Sequence, residues 1–415
     1  MVTYSQAAEG EAAPTQPPEH HSERRIAGRA QALPVLLANT LPVLGVVALT
    51  PNLPTFYAHF AGVPNAKLLV PLLLVIPGFC NVALSWLTGI AADRWGRRRL
   101  LLLATLTQGV FGMVPLVLED LRWILATRVM VGVAESVLWT AASALVGDYF
   151  QGAERRKWLA LQDGVAPILQ TIVIIGAGAL GSINWHLPFA IYSVSLTCSA
   201  WLFVSTWEPE SVRAPDEHHR KAPFPWRTAA LVGSVTLFTA IIFFVQVLQL
   251  GVIFAKLGAA NSLVIGIGIA VASIGVILGA FVYRRLSRAH VGILLALVYL
   301  LDGLSYVSFV FLPGYQMAVL VATFSQVASG ITMPSLVNWA LMKFDVEVRG
   351  RGMGIWTSCL FLGQFVSQLV VTAATTVTGN ILRAVAIIGA VSLAASVLAL
   401  IAGIKKNRGV VKANG

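Results

Sequence analysis

Arg128 and Glu135 lie deep inside one long apolar run, residues 121–149. Seven residues apart on a helix is about two turns, so they share a face with about 10 Å between them. A charge at bilayer depth costs at least ~2.5 kcal/mol on insertion scales, so each needs a partner or an aqueous cavity. The separation is too long for a tight ion pair, and water or substrate would fit the gap. Glu135 is therefore either a protonation site tuned by burial and by Arg128, or a member of a structural ionic network. Asp302, in Leu300-Leu301-Asp302-Gly303, is a second intramembrane acid and a second candidate for proton coupling. Asp163, in Gln162-Asp163-Gly164, is either a gate residue or a solvated acid near a helix start.

The densest charge cluster is Gly89-Ile90-Ala91-Ala92-Asp93-Arg94-Trp95-Gly96-Arg97-Arg98-Arg99, between two apolar stretches. One acid and four arginines cannot lie in hydrocarbon, so the cluster marks a short turn at a membrane surface. Gly89 and Gly96 permit a close turn. Asp93 can cap a helix, and Arg97 or Arg98 can pair with an acid at a neighbouring helix end. Asp148, in Gly147-Asp148-Tyr149-Phe150, is the natural partner.

These groups need helices to hold them. The chain has 415 residues, 57% hydrophobic and 11% charged, where a soluble protein carries about 25% charged residues. Twelve apolar segments are long enough to span a bilayer: 32–58, 67–91, 98–118, 121–149, 159–183, 186–207, 227–255, 261–283, 290–312, 315–342, 352–378 and 380–403. An even number puts both termini on one side. Of the 29 lysines and arginines, 24 fall in the tails and in the loops after the even-numbered segments. Positive charge is retained in the cytoplasm, so both termini are expected there.

Residues 1–30 read as a disordered cytoplasmic tail. A first six-helix bundle is expected over 31–207, a polar cytoplasmic linker over 208–225, a second bundle over 226–404 and a C-terminal tail over 405–415. The fold class expected is an all-α integral membrane protein of two pseudo-symmetric six-helix bundles. A weak internal repeat agrees. Tyr283-Arg284-Arg285-Leu286-Ser287-Arg288 stands where the first half has its full charged turn, and Val348-Arg349-Gly350-Arg351-Gly352 echoes Glu154-Arg155-Arg156-Lys157.

The net charge of +11 comes in short clusters between apolar runs, without the continuous basic face that nucleic acid requires. Cys80, Cys198 and Cys359 form no metal-ligand spacing and no disulfide framework. His218-His219 sits in the charged linker as a solvated pair. No metalloprotease, nucleotide-binding or other catalytic signature is present, so neither an enzyme nor a self-contained ATP-driven pump is expected.

Three motifs carry a family resemblance. Gly89–Arg98 meets the pattern G-x-x-x-D-R-x-G-R-R and resembles the loop between the second and third helices of the major facilitator superfamily. Leu44-Gly45, then Pro51-Asn52-Leu53-Pro54, is similar to the first-span pattern of the twelve-helix drug:proton antiporters. Arg128-Val129-Met130-Val131-Gly132-Val133-Ala134-Glu135 matches the superfamily's fourth-helix motif, and its G-V-A-E continuation is similar to the spinster-type lipid transporters. The resemblance implies that Gly89, Asp93, Arg94, Gly96, Arg97, Arg98 and Asp148 form a latch that holds the two halves in the outward-facing state. It implies that helices three, six, nine and twelve are peripheral, which favours a structural partner for Asp302. The chain departs from the antiporter pattern in two places. Its fifth segment has Gly164-Val165-Ala166-Pro167 and no Gly-Pro pair, and its first segment has no acid.

On the segments expected to line a cavity lie Asn39, Asn52, Trp139, Gln170, Gln246, Gln249, Gln326, Asn338, Trp339, Gln364 and Gln368, for which substrate and neighbouring helices are alternative partners. The resulting expectation is a secondary active transporter for a small organic, amphipathic solute in the inner membrane. Proton-coupled efflux by alternating access leads, and proton-linked or facilitated uptake of a metabolite or lipid-like solute is the alternative. Expected partners are a small-molecule substrate, protons and the lipid bilayer, with no nucleic acid. No cofactor or metal is expected, and the working unit is a monomer.

Overall fold

The computed structural model describes residues 27–209, 223–345 and 347–413, apart from the side chains at positions 85, 86, 89, 93, 163 and 405–413. Residues 1–26 of the expected tail 1–30 and most of the linker lie outside the described residues. Among the described residues, twelve helices are long and apolar enough to cross a membrane. Spans 1 to 6 are Arg29–His59, Ala66–Trp95, Arg97–Leu116, Leu121–Tyr149, Gly152–Ile183 and Leu187–Ser205. Spans 7 to 12 are Trp226–Lys256, Ser262–Leu286, Val291–Ser308, Tyr315–Lys343, Arg349–Thr378 and Ile381–Ile404.

Several helices outrun the apolar segments that announce them. Span 2 continues through the charged turn to Trp95, and span 5 begins at Gly152, so Glu154–Lys157 are helical. The backbone of span 12 stays helical to Ala413. Polar residues outside the hydrocarbon can keep a helix going, with acids at its start and cations at its end favoured by the dipole.

The two halves repeat. Spans 3, 4 and 6 begin at Arg97, Leu121 and Leu187, and spans 9, 10 and 12 begin at Val291, Tyr315 and Ile381. Each pair of starts is separated by the same number of residues. At that spacing Gln108 corresponds to Asp302, Arg128 to Ala322 and Glu135 to Ser329.

Span 1 is broken as its prolines demand. A short 3-10 turn at Thr50–Asn52 joins the helices Arg29–Leu49 and Leu53–His59, because Pro51 and Pro54 cannot donate to the ladder. The Thr50 hydroxyl donates to the Val46 carbonyl at 2.9 Å, and Asn52 Nδ2 donates to the Ala48 and Ala177 carbonyls at 3.0 and 3.1 Å. Polar side chains thus satisfy carbonyls that the bend would leave open.

The bundles meet in the half of the molecule remote from the termini. A Cβ at Gly178 of span 5 would lie 2.5 Å from the Ser262 carbonyl oxygen, and one at Gly251 of span 7 only 2.4 Å from that of Thr50. Backbones approach this closely only where no side chain intervenes. The hydroxyls of Thr55 and Ser262 meet at 2.9 Å. Phe79 packs on Phe365 at 5.0 Å and Trp139 on Phe361 at 6.3 Å, joining spans 2 and 4 to span 11.

Candidate functional site

Inside the N-terminal bundle, spans 1, 3, 4 and 6 enclose a polar centre. Arg128 is 0% exposed and Glu135 3%. They form no direct pair among the described residues. Arg128 Nη1 instead donates to the Tyr192 hydroxyl at 3.0 Å, and Nη2 to the Phe111 and Gly112 carbonyls, each at 3.3 Å. The guanidinium lies 5.2 Å from the Phe189 ring centre and 5.0 Å from that of Tyr192. A cation stripped of water is held here by carbonyls, a phenol and two ring faces.

Glu135 Oε1 accepts from Gln108 Nε2 at 3.4 Å, and Gln108 Oε1 accepts from the Ser195 hydroxyl at 2.9 Å. Gly45 of span 1 leaves room for the arrangement. A Cβ there would lie 2.6 Å from the Tyr192 hydroxyl and 3.3 Å from Glu135 Oε1. Tyr192 therefore occupies the gap that the two-turn separation leaves. The sequence reading did not single out Gln108, Tyr192 or Ser195, because they sit on the helices treated as peripheral. A polar residue at helical spacing in each otherwise apolar run was the available signal.

Asp302 is alone by comparison. It is 0% exposed, and neither carboxyl oxygen has a hydrogen-bond partner among the described residues. Tyr299 and Tyr306, one turn away on either side, turn their hydroxyls to Thr239 and to the Ile242 carbonyl. Gln108, its counterpart in the first half, is bonded through both its amide nitrogen and its amide oxygen.

At the charged turn, Arg97 Nη1 pairs with Asp148 Oδ1 at 2.5 Å, one of the two pairings, through Arg97 or Arg98, expected from the sequence. Gly96 has φ +90°, and a Cβ there would meet the Glu208 carboxylate at 2.8 Å. That carboxylate accepts the backbone N–H groups of Arg98 and Arg99, each at 3.2 Å, capping span 3. Arg98 donates to Thr206 and to the Phe203 carbonyl. These partners lie in span 4, in span 6 and in the few residues that follow span 6. Arg94 is exposed, while the side chains of Gly89, Asp93 and Asp163 lie outside the described residues. Glu208 was not singled out from the sequence, since nothing local links it to a turn more than a hundred residues away.

The amides divide. Asn39 donates to Gln162 at 3.1 Å and accepts from Ser143 at 3.5 Å, tying spans 1, 4 and 5. Asn52 is wholly buried in the bend of span 1. Gln249 donates to Gln368 at 2.8 Å, joining spans 7 and 11. Gln246 donates to Ser329 at 2.6 Å, and its Oε1 has no partner among the described residues. Gln364 crosses between bundles, its Oε1 against Gly78 of span 2. Asn338 is exposed and donates to Tyr283 at 2.5 Å. Trp139 and Gln170 are half-buried, whereas Gln326 and Trp339 are buried. An open groove of about 570 Å³ between spans 3 and 6, lined by Leu103, Leu106 and Phe203, lies on the outer wall.

Twelve spans among the described residues, in two repeated bundles, make this a multi-pass membrane protein, and the family match makes it a transporter. The chain belongs to the Major Facilitator Superfamily, which it matches over residues 35–368. It is 24% identical over 257 residues to the tetracycline resistance protein, class D, of Salmonella ordonez, covering 56% of this chain and 64% of that protein. With the class H protein of Pasteurella multocida it shares 24% over 184 residues, 43% of this chain and 46% of that one. The matched stretches thus span between about half and two thirds of these relatives. Among solved structures, a bacterial homolog to the human lysosomal transporter Spinster, inward-facing and unoccupied, aligns with TM-score 0.63 at 15% identity, covering 91% of this chain and 96% of that one. A POT family transporter bound to a thioalcohol-conjugated peptide aligns with TM-score 0.70 at 13% identity, covering 90% and 95%. These likenesses show the fold.

Proposed function

We propose that this chain is a secondary active transporter that exports a small amphipathic organic solute across the inner membrane in exchange for protons. Its two bundles would rock around a site between them, with both termini in the cytoplasm. The observation that carries the reading is the isolation of Glu135 from Arg128. A buried carboxyl beside a guanidinium whose two Nη groups are already held by neutral acceptors can gain and lose a proton without breaking an ion pair. Arg128 would hold the field around it, and Gln108 would orient it. The packing of the far ends fits a closed outer side, with the charged turn serving as latch in the opposite state. Asn39, Trp139, Gln170, Gln246 and Asn338 are the residues we assign to the solute path.

The test is purified protein in liposomes under an imposed pH gradient, with tetracycline as the first probe because of the resistance proteins it resembles. Accumulation against the solute gradient, driven by the proton gradient and lost in Glu135→Gln, is the expected result. Transport indifferent to the gradient would sink antiport. Uptake or facilitated movement is the second reading, favoured by the missing Gly-Pro pair in span 5 and the absence of an acid in span 1.

A further inference from the structure

Two hollows on the outer wall of the N-terminal bundle run into one another. The groove between spans 3 and 6 has Leu103, Leu106, Phe203 and Val204 among its walls. A second hollow of about 290 Å³ opens beside it, between Arg94, Trp95 and Arg99. Leu103 lines both, so the apolar groove leads into a cationic mouth.

Helix packing sets the length of the groove. A Cβ at Gly109 would lie 2.5 Å from the Leu196 side chain, so spans 3 and 6 close on each other there. Toward the charged turn, span 6 presents the small Ser199 and Ala200 to the gap, and the Ser199 hydroxyl donates to the Leu102 carbonyl at 3.4 Å. At the turn, Arg98 ties the two spans again, donating to the Phe203 carbonyl at 2.9 Å and to the Thr206 hydroxyl at 3.1 Å. The helix from Arg99 to Gly109 rises ~15 Å. That is half of a hydrocarbon core of ~30 Å, the depth of one leaflet. The mouth lies on the side of the start of span 1, where Gln31 donates to the Ser205 carbonyl of span 6 at 2.9 Å.

The acids near the mouth are committed elsewhere. Asp148 pairs with Arg97, and the Glu208 carboxylate accepts the backbone N–H groups of Arg98 and Arg99. The side chains of Arg94 and Arg99 are exposed and make no ion pair or hydrogen bond among the described residues. Trp95 beside them is 65% exposed, and tryptophan settles at the headgroup level of a bilayer. Guanidinium forks match phosphate oxygens, and basic hollows beside membrane helices take acidic headgroups. Free phosphate would use the arginines and leave the groove bare. A zwitterionic lipid would fill the groove but bring its own cation toward two more. A single molecule that answers both halves carries net negative charge and a long acyl chain.

We infer that the groove and its mouth are a binding site for one anionic phospholipid, from the leaflet on the side of the charged turn. The phosphate sits between Arg94 and Arg99, and an acyl chain runs along Leu103, Leu106 and Phe203 toward Gly109. The bound lipid bridges spans 3 and 6 and so stabilises the N-terminal bundle. The site is apart from the solute path and depends on neither the direction of transport nor its coupling.

The full chain in detergent is titrated with phosphatidylglycerol, with phosphatidylcholine of the same acyl chains, and with inorganic phosphate. Native mass spectrometry reads lipid retention, and a thermal melt reads stability. Phosphatidylglycerol is expected to be retained in preference to phosphatidylcholine and to raise the melting temperature. Equal retention of the two lipids overturns the site, and a rise with phosphate as large as with phosphatidylglycerol reduces it to an anion site without a lipid. Arg94→Gln with Arg99→Gln should weaken retention on the order of ten-fold or more. Arg155→Gln with Arg156→Gln removes two exposed arginines from the start of span 5 and should not. Equal losses in the two pairs would show attraction to net charge alone and overturn the site. Ala200→Trp fills the groove and leaves the arginines, so it should also lose the preference. Undiminished retention in Ala200→Trp overturns the acyl seat, and this variant decides should the Arg94 and Arg99 pair fail to fold.

Discussion

The Tyr192 hydroxyl sits 3.0 Å from Arg128 Nη1 while its ring lies 5.0 Å from the same guanidinium. One side chain from span 6 thus supplies both an acceptor and a π face to the charge of span 4. The consequence is that Arg128 does not depend on Glu135, and the carboxyl is left with a single amide donor. Tyr192→Phe keeps the ring and removes the acceptor. A hydrogen bond to a charged group contributes roughly 1.5–3 kcal/mol, so the variant should melt lower and should draw Arg128 toward Glu135. The functional expectation is a several-fold loss of gradient-driven transport that Arg128→Lys cannot restore. Thermal melting beside liposome flux checks both halves, and unaltered flux would show that the phenol only fills space.

Glu135→Gln separates coupling from movement. The carboxamide keeps the contact to Gln108, so the fold and downhill solute exchange are expected to persist. Uphill movement driven by an imposed pH gradient should disappear, and the pH dependence of downhill flux should flatten. Comparing uphill with downhill flux in one preparation is decisive. Retained uphill transport would place the coupling elsewhere.

The Arg97–Asp148 pair is partly exposed, with side chains about a third accessible, and exposed pairs contribute only about 0–1 kcal/mol. Asp148→Asn should therefore barely change melting. Its expected effect is on the balance of states, read as altered turnover with nearly unchanged solute affinity. The swap Arg97→Asp with Asp148→Arg should restore turnover if the pair itself matters.

Much of the fold could be read in the amino-acid sequence because hydrocarbon imposes a simple rule: long apolar runs must be helices and charges must lie at their ends. Asp148 was found as the partner of Arg97 by that logic, since both sit at ends on one side. Tyr192 and Glu208 could not be found that way. Their roles depend on how span 6 packs against spans 3 and 4, which periodicity does not report. Asn52 shows the converse. Its place on span 1 suggested a cavity, but the proline bend beside it exposes carbonyls that claim its donors. Gln249 and Gln368 likewise satisfy one another across spans 7 and 11.

Gly251 tests the closed far side. A methyl there would stand 2.4 Å from the Thr50 carbonyl oxygen, a backbone atom that cannot rotate away. Gly251→Ala should force spans 1 and 7 apart and enrich the state open on the far side. Spin labels at the exposed Ala61 and Ala260 are expected to report a longer mean distance than in the parent chain. An unchanged distance would mean that the bend at Thr50–Asn52 absorbs the methyl.

Asp302 poses the remaining question about coupling. A buried carboxyl with no donor contributes little to stability, and an unpaired buried charge would cost several kcal/mol. Asp302→Asn keeps the shape and removes the ionisable oxygen, so melting is expected to stay level or rise. Because the corresponding position in the first half is Gln108, an amide is already compatible with this site in the repeat. Glu135, in contrast, corresponds to Ser329, which already accepts from Gln246 at 2.6 Å. On the proposed reading Glu135 carries the proton, and gradient-driven transport should survive Asp302→Asn. If uphill transport is lost while folding and downhill exchange persist, the coupling residue is Asp302, and the polar centre around Glu135 is structural.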